Sequence, residues 1–375
     1  MMASHSFSAS PPVAPSTSSC PSPVHVYVAG VGDVGAALLR QIDARGDAGR
    51  DLHVIGACTS RRAAWGAPNR DPEAPLAGVD EAAPPDWPAI VDRLAQETPR
   101  PLVFVDATGS PDVADYYEPL LRAGVHVVTP SKLANTRSQA AFDRLREAAA
   151  EAGVQYRYET TVGAGLPVVQ TVRNLVATGD RVRSIRGVVS GTLTFLFSAL
   201  RDGSSFSEAV RAAVDRGYAE PDVRDDLSGT DVARKFLILA RTAGYAVEPT
   251  EVQVESLVPD SLADAPYEAF LDRLSTVDPY WRERSAAAAA ESAVLQYVGR
   301  FSPEGIEVGV EPVPGDTALG QLGAQENLFE VTTDRYAAVP LVVRGPGAGP
   351  SVTAAGVLAD VLTAVREARP PSPPA

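Results

Sequence analysis

The sequence predicts an α/β protein of two units, a parallel sheet covered by helices followed by a unit of α+β build, on three observations. Strand-length apolar runs alternate with stretches of helical periodicity from residue 24 to residue 151, the pattern of a parallel sheet with helices on its faces. Beyond residue 154 helices come first and strand-like runs follow, so the second unit is built differently. The chain has 375 residues, and at roughly 150 residues per domain that length supports two.

The elements follow in order. Residues 1–22, rich in Ser, Pro and Ala, carry neither a basic leader nor a continuous apolar stretch of ~7–15 residues, so they read as a disordered tail and not as a secretory signal. The first unit, 23–153, opens with a strand at 24–29, a glycine turn, a helix through 38–42 and a strand at 52–58, a βαβ beginning. A Pro/Gly-rich excursion at 63–88 precedes a helix near 90–96, a strand at 102–105, a helix at 113–122, a strand at 125–129 and a helix at 139–151. The second unit, 154–344, starts from a strand-like run at 154–159. Helices near 167–176, 195–200, 208–216 and 230–242 follow, with a strand at 185–189 among them. A plain helix at 286–290 leads to strands at 293–301, 306–313, 327–332 and 341–343, an antiparallel or mixed sheet. A glycine-rich turn and a last helix at 345–368 return toward the first unit, and 369–375 is a loose tail.

Hydrophobic residues make up 45% and charged residues 21%, a globular composition. The net charge of −14 disfavours a general grip on nucleic acid or anionic lipid, which leaves small molecules as partners. No run reaches ~18 apolar residues, so no membrane span is expected. Two cysteines, Cys20 and Cys58, build neither a disulfide framework nor a cysteine-rich zinc site, and a reducing cytoplasm fits. Of 33 basic residues only Lys132 and Lys235 are lysine, leaving 31 arginines. Arginine keeps its proton whereas a desolvated lysine can release it, so these two positions are candidates for proton chemistry; biased codon usage is the plain alternative.

Gly30, Val31, Gly32, Asp33, Val34 and Gly35 lie directly after the first strand and open the first helix. In that setting they form the dinucleotide fingerprint of a Rossmann-type unit, with glycines for the turn, for approach of a pyrophosphate and for helix–strand packing. The second strand ends not in a carboxylate, which would grip an adenosine ribose, but in Thr59, Ser60, Arg61 and Arg62. That set suits a 2′-phosphate and favours NADP, with NAD still possible. Thr108 and Gly109 leave the carboxyl end of a later strand, where they would reach the nicotinamide half or simply connect to a helix capped by Ser110. Lys132 stands at the end of the next strand, at the same edge.

Asp231 and Lys235 are four apart on one helix, the spacing of a surface ion pair, yet Glu220, Asp222, Asp225 and Asp226 crowd just before it, more carboxylates than a cap needs. Such a cluster would receive a ligand's ammonium group. The loop 159–167, with Glu159, Val162, Ala164, Leu166 and a helix started by Pro167, is either an ordinary glycine loop or one whose carbonyls converge on a hard monovalent cation. His5 lies in the tail, and His25, His53 and His126 lie in expected strands, so no loop histidine is available as base or metal ligand. If the chain is a dehydrogenase, lysine must move the proton.

Taken together, these segments resemble homoserine dehydrogenase from about residue 24 to about residue 367. The resemblance rests on the glycine fingerprint, Thr129-Pro130-Ser131-Lys132, the 159–167 loop, Ser190-Gly191-Thr192-Leu193, the 218–235 stretch and Gly347-Ala348-Gly349. It implies reversible reduction of L-aspartate 4-semialdehyde to L-homoserine on the route to threonine, methionine and isoleucine, with hydride from NAD(P)H. It further implies that Lys235 donates the proton, that Lys132 lies beside it, and that Glu220 and Asp231 bind substrate in a pocket lined by Gly191, Thr192, Tyr218 and Asp226. A sodium-type site would use Glu159, Val162, Ala164 and Leu166; Gly349 would close on the cofactor, and the second unit would form a homodimer. The form resembled is short and monofunctional, with room for neither the regulatory domain nor the kinase that many members carry. Ser131 and Ser190 replace asparagines common at those positions, which touches contact details and not the reaction. Two rivals remain: an aspartate dehydrogenase, for which the acidic stretch before Lys235 is not expected, and a silent dinucleotide sensor, which needs no pair of lysines.

Overall fold

A computed structural model describes residues 23–45, 52–66 and 84–368; the expected tails at 1–22 and 369–375, with Cys20 and His5, and the middle of the 63–88 excursion lie outside the described residues. In chain order β1 (Val24–Ala29), α1 (Asp33–Ala44), β2 (Leu52–Cys58), β3 (Ala63–Trp65), α2 (Trp87–Gln96), β4 (Leu102–Asp106), α3 (Pro111–Ala114), α4 (Tyr117–Arg122), β5 (His126–Val128), α5 (Gln139–Ala152) and β6 (Tyr156–Arg157) build the first sheet and its helices. Its order is β3-β2-β1-β4-β5-β6. Every pairing is parallel except β2 with β3, so the excursion expected to begin at residue 63 first adds an antiparallel edge.

Both faces of this sheet are covered, which is why its strands read as continuous apolar runs. Val24, Val26 and Val28 turn one way, toward Leu38 and Ile42 of α1. Tyr27, Leu102 and Phe104 turn the other way, toward Ile90 and Leu94 of α2, Leu120 of α4 and Phe142 of α5. Each Val, Leu or Phe so removed from water contributes about 1.5–3 kcal/mol. The single helix expected over 113–122 is two, α3 and α4. Pro119 explains the break: it has no N–H to donate to Asp115, four residues earlier, and its ring crowds that carbonyl.

The chain continues through α6 (Val169–Ala177), β7 (Val182–Val188), α7 (Gly191–Arg201), α8 (Phe206–Asp215), α9 (Val223–Leu227), α10 (Thr230–Thr242), β8 (Val252–Val254), α11 (Tyr267–Arg273), α12 (Asp278–Ala290), β9 (Ala293–Ser302), β10 (Gly305–Pro314), β11 (Glu326–Thr333), β12 (Leu341–Pro346) and α13 (Pro350–Ala368). The second sheet has the order β12-β11-β7-β9-β10-β8 and is mixed, antiparallel throughout except where β8 joins β10. Tyr297, Phe301, Ile306 and Val308 face Phe197 of α7, Phe236 of α10 and Trp281 of α12. The helix expected to start at Pro167 begins at Val169. Helix α13 leaves the second sheet and returns to the first, where Val357, Val361 and Val365 join the α1 side of the core.

Candidate active site

Strand order in the first sheet turns back between β1 and β4, and the crevice outside their carboxyl ends is where open α/β sheets take ligands. After β1 the chain turns at Gly30, φ +90°, a conformation that L side chains rarely adopt. The Gly30 and Val31 N–H groups each donate to the Cys58 carbonyl at 2.9 Å, pinning the turn to the end of β2. A Cβ on Gly35 would lie 2.1 Å from the Gly30 carbonyl oxygen, so the third glycine serves helix–turn contact. Gly32 is different: a Cβ there would meet nothing within 4 Å, and its bare face opens ahead of the N-terminus of α1, where Asp33 begins the helix and Val34 is half-buried. The cradle fits a dinucleotide pyrophosphate.

Beyond β2, the Thr59 hydroxyl accepts the N–H groups of Arg61 and Arg62 at 3.2 Å each, leaving Ser60, Arg61 and Arg62 exposed on a tight turn. Beyond β4, the backbone N–H and hydroxyl of Thr108 donate to Asp106 at 2.7 and 2.6 Å, and Gly109 follows at φ +66°. Ser110 occupies the cap position of α3, but its hydroxyl caps nothing, contrary to the cap expected of it. Gly349, at φ +123°, precedes α13, and its carbonyl accepts the Thr353 N–H at 2.9 Å.

Asp106, which opens the segment that carries Thr108 and Gly109 at this edge, is fully buried. Burial pushes its carboxyl above the usual range, against hydrogen bonds from Thr108 and Tyr117. The Tyr117 hydroxyl contacts this carboxylate and lies 3.1 Å from the Thr129 hydroxyl, which donates to the Asp106 carbonyl at 2.9 Å and accepts the Ser131 N–H at 2.9 Å. One buried network thus joins the loop carrying Thr108 to the loop carrying Lys132.

Lys132 reaches from that loop to α10. Its ammonium lies 3.1 Å from one oxygen of Asp231, while Lys235 lies 2.8 Å from the other. The pair that sequence spacing allowed to be a surface ion pair is therefore a three-member centre. Lys235 is 9% exposed and also donates to the Val189 carbonyl at 2.6 Å. Burial lowers its pKa and the nearby Lys132 charge lowers it further, while Asp231 opposes both. Burial would raise the Asp231 carboxyl, but the two ammonium groups outweigh it and hold the group well below the usual carboxylate range. The Asp231 side chain is itself 48% exposed.

The acidic crowd is sorted by the fold. Asp222 caps α9 and pairs with Arg224, so it is not free for a ligand as the cluster suggested. Asp226 accepts the Glu220 N–H at 2.8 Å and lies beside the Thr192 hydroxyl, and burial raises its carboxyl. The Thr192 hydroxyl donates to the Tyr218 carbonyl at 2.7 Å, one residue into α7 from Gly191. Gly191, Thr192, Tyr218, Glu220 and Asp226 are thereby gathered at one wall, with the side chains of Tyr218 and Glu220 exposed.

The 159–167 loop lies under α13. Both oxygens of Glu159 accept backbone N–H groups at the start of α6, from Val169 at 2.9 Å and Gln170 at 2.6 Å. Burial first, then the charge of Asp360, raises its carboxyl to about 7. Gly163 and Ala164 are left-handed, at φ +76° and +53°, and the Leu166 carbonyl accepts the Val168 N–H at 2.9 Å. Among the described residues no cluster of three or more His, Cys, Asp or Glu is placed to hold a metal, so a cation here would depend on backbone carbonyls and Glu159.

The homoserine dehydrogenase family profile matches residues 167–362, and the profile of the family's NAD-binding domain matches residues 30–159. A homoserine dehydrogenase of Paracoccidioides brasiliensis is 38% identical over 370 residues, covering 90% of this chain and 97% of its own. A bifunctional aspartokinase/homoserine dehydrogenase of Haemophilus influenzae is 37% identical over 345 residues, 90% of this chain, which spans only 42% of that relative's length. In fold, the chain superposes on a hyperthermophilic archaeal homoserine dehydrogenase in complex with NADPH with a TM-score of 0.72 at 22% identity, covering 92% of this chain and 98% of that one. The glycine cradle, the two-lysine centre and these matches over both sheets agree: the chain belongs to the homoserine dehydrogenase family of NAD(P)-dependent oxidoreductases.

Proposed function

We propose that the chain reversibly reduces L-aspartate 4-semialdehyde to L-homoserine, a step toward threonine, methionine and isoleucine. The observation that carries this reading is the Asp231 carboxylate shared by Lys132 and Lys235 at the edge of the cofactor sheet. Bound in the glycine cradle, a nicotinamide cofactor supplies the hydride. An ammonium has three N–H groups. Lys235 commits one to Val189 and one to Asp231, and the third donates to the aldehyde oxygen, passing its proton as the alcohol forms. Lys132 adds positive charge where the alkoxide develops. Glu220 and Asp231 take the substrate ammonium, and the wall of Gly191, Thr192, Tyr218 and Asp226 shapes the pocket.

NADPH is the preferred donor, since Arg61 and Arg62 stand exposed where a ribose-binding carboxylate would otherwise be. A monovalent cation, sodium, is held by oxygen donors from Glu159, Val162, Ala164 and Leu166, a set suited to a hard ion. The enzyme works in the cytoplasm as a homodimer. Its second unit, residues 154–344, forms the contact. NADPH oxidation with aspartate semialdehyde tests the reading. Activity with aspartate and NAD(P) instead, or with neither, overturns it.

A further inference from the structure

We infer that Arg241 is a positioning residue for this reaction, clamping the segment after Lys132 onto α10 and so setting the distance at which Lys132 meets Asp231. The inference rests on the catalytic reading above and adds the device that brings its two lysines together. Lys132 follows β5 of the first sheet, whereas Asp231 and Lys235 ride on α10 of the second unit. The three meet through long side chains at 3.1 and 2.8 Å, so a small shift between these elements would separate them.

Arg241 lies six residues beyond Lys235 on α10 and is 1% exposed. One guanidinium nitrogen, Nη1, donates to the carbonyls of Asn135 and Arg137, both at 2.8 Å; Nε and Nη2 donate to the Val247 carbonyl at 3.1 and 2.7 Å. Asn135 belongs to the tight turn Ala134–Thr136, which begins two residues after Lys132, and the Thr136 hydroxyl in that turn donates back to the Lys132 carbonyl at 3.1 Å. The same segment is strapped again where the Gln139 N–H donates to Glu248, 3.2 Å from either oxygen. A buried guanidinium answered by carbonyls is a costly way to fill space, and an apolar side chain would pack there at lower cost. What an apolar residue lacks is the fixed fork of donors that holds Asn135 and Arg137 in one place relative to α10.

The charges facing Lys235 are Asp231 on its own helix, Lys132 from the first sheet's loop and Asp226 from α9. Lys132 depresses the Lys235 pKa, so a slackened clamp that lets Lys132 withdraw raises it. Because the chain has only two lysines, 13Cε-lysine NMR titrates each directly, with or without turnover. In Arg241→Met the Lys235 titration should move upward, as in Lys132→Met. Turnover should drop ~10²-fold, the scale of an ångström's misplacement, with NADPH affinity retained. Arg241→Met in a Lys132→Met background should then cause little additional loss. Should Arg241→Met fail to fold, Arg241→Lys, which retains the cation but loses the fork, should show the same shift in smaller degree. A folded Arg241 variant whose Lys235 titration matches the parent, even with lowered Tm and activity, overturns the clamp. A parent enzyme that does not turn over aspartate semialdehyde overturns the functional reading and leaves the NMR test of the clamp standing.

Discussion

Lys235 donates to the Val189 carbonyl oxygen at 2.6 Å, a backbone acceptor just before the Ser190 cap of α7. A carbonyl fixes the direction of the ammonium without taking its proton. Lys235 is thus aimed by the backbone and tuned by Asp231, two separate controls on one group.

Arginine at position 235 keeps the charge but holds its proton beyond use. In Lys235→Arg, turnover should fall ~10²–10⁴-fold while NADPH binding barely changes. Stopped-flow turnover and fluorescence titration of NADPH measure the two. Activity close to the parent's would reduce Lys235 to an ion-pair partner.

Reduction needs Lys235 protonated, so the rate declines as pH rises through its pKa, which burial has already lowered. Asp231 is the foremost group opposing this lowering, ahead of Asp226. Asp231→Asn removes that support, and the alkaline limb of the kcat–pH profile should shift to lower pH. A limb that stays in place means another group supplies the proton.

Gly32 and Gly35 should respond oppositely to alanine. At Gly32 the added methyl meets no protein atom within 4 Å, so Tm should hold while NADPH affinity falls. At Gly35 it would strike the Gly30 carbonyl, so Tm itself should drop. Calorimetry and NADPH titration of both variants read the difference; unchanged NADPH affinity in Gly32→Ala would remove the pyrophosphate from that spot.

These contrasts show what the sequence made legible. The βαβ opening, α10 and the lysines could be read because periodicity and residue chemistry are local. In α12 only the alanine run 286–290 stands out as helix in the sequence, whereas the helix begins at Asp278; Pro279 lies in its first turn, where a missing N–H has no partner to lose. Strand β8 has three residues, too few to show alternation, and α9 hides in an acidic run. The Val189 carbonyl and the Asp106–Tyr117–Thr129 network depend on groups brought together across the chain, and a backbone acceptor leaves no mark in residue identity.

Arg61→Ala and Arg62→Ala should lower kcat/KM with NADPH and leave NADH nearly unaffected, since both arginines stand on the exposed turn after β2. Steady-state kinetics with each cofactor decides. Equal efficiency of NADPH and NADH in the parent would mean that both side chains point into solvent.

The return of α13 has a bearing on how the molecule is made. The Gln41 side chain on α1 donates to the Ser351 carbonyl, 310 residues onward, and the valines of β1 share their core with Val357 and Val361. A ribosome completes β1 and α1 early but delivers α13, which completes the cover that α1 begins on that face, some 310 residues later. Until then the nascent sheet presents an apolar surface, the kind of exposure that draws chaperones and invites aggregation. With such distant partners, folding should be slow, and the emergence of α13, not synthesis of the cofactor sheet, should mark the point at which that sheet becomes stable.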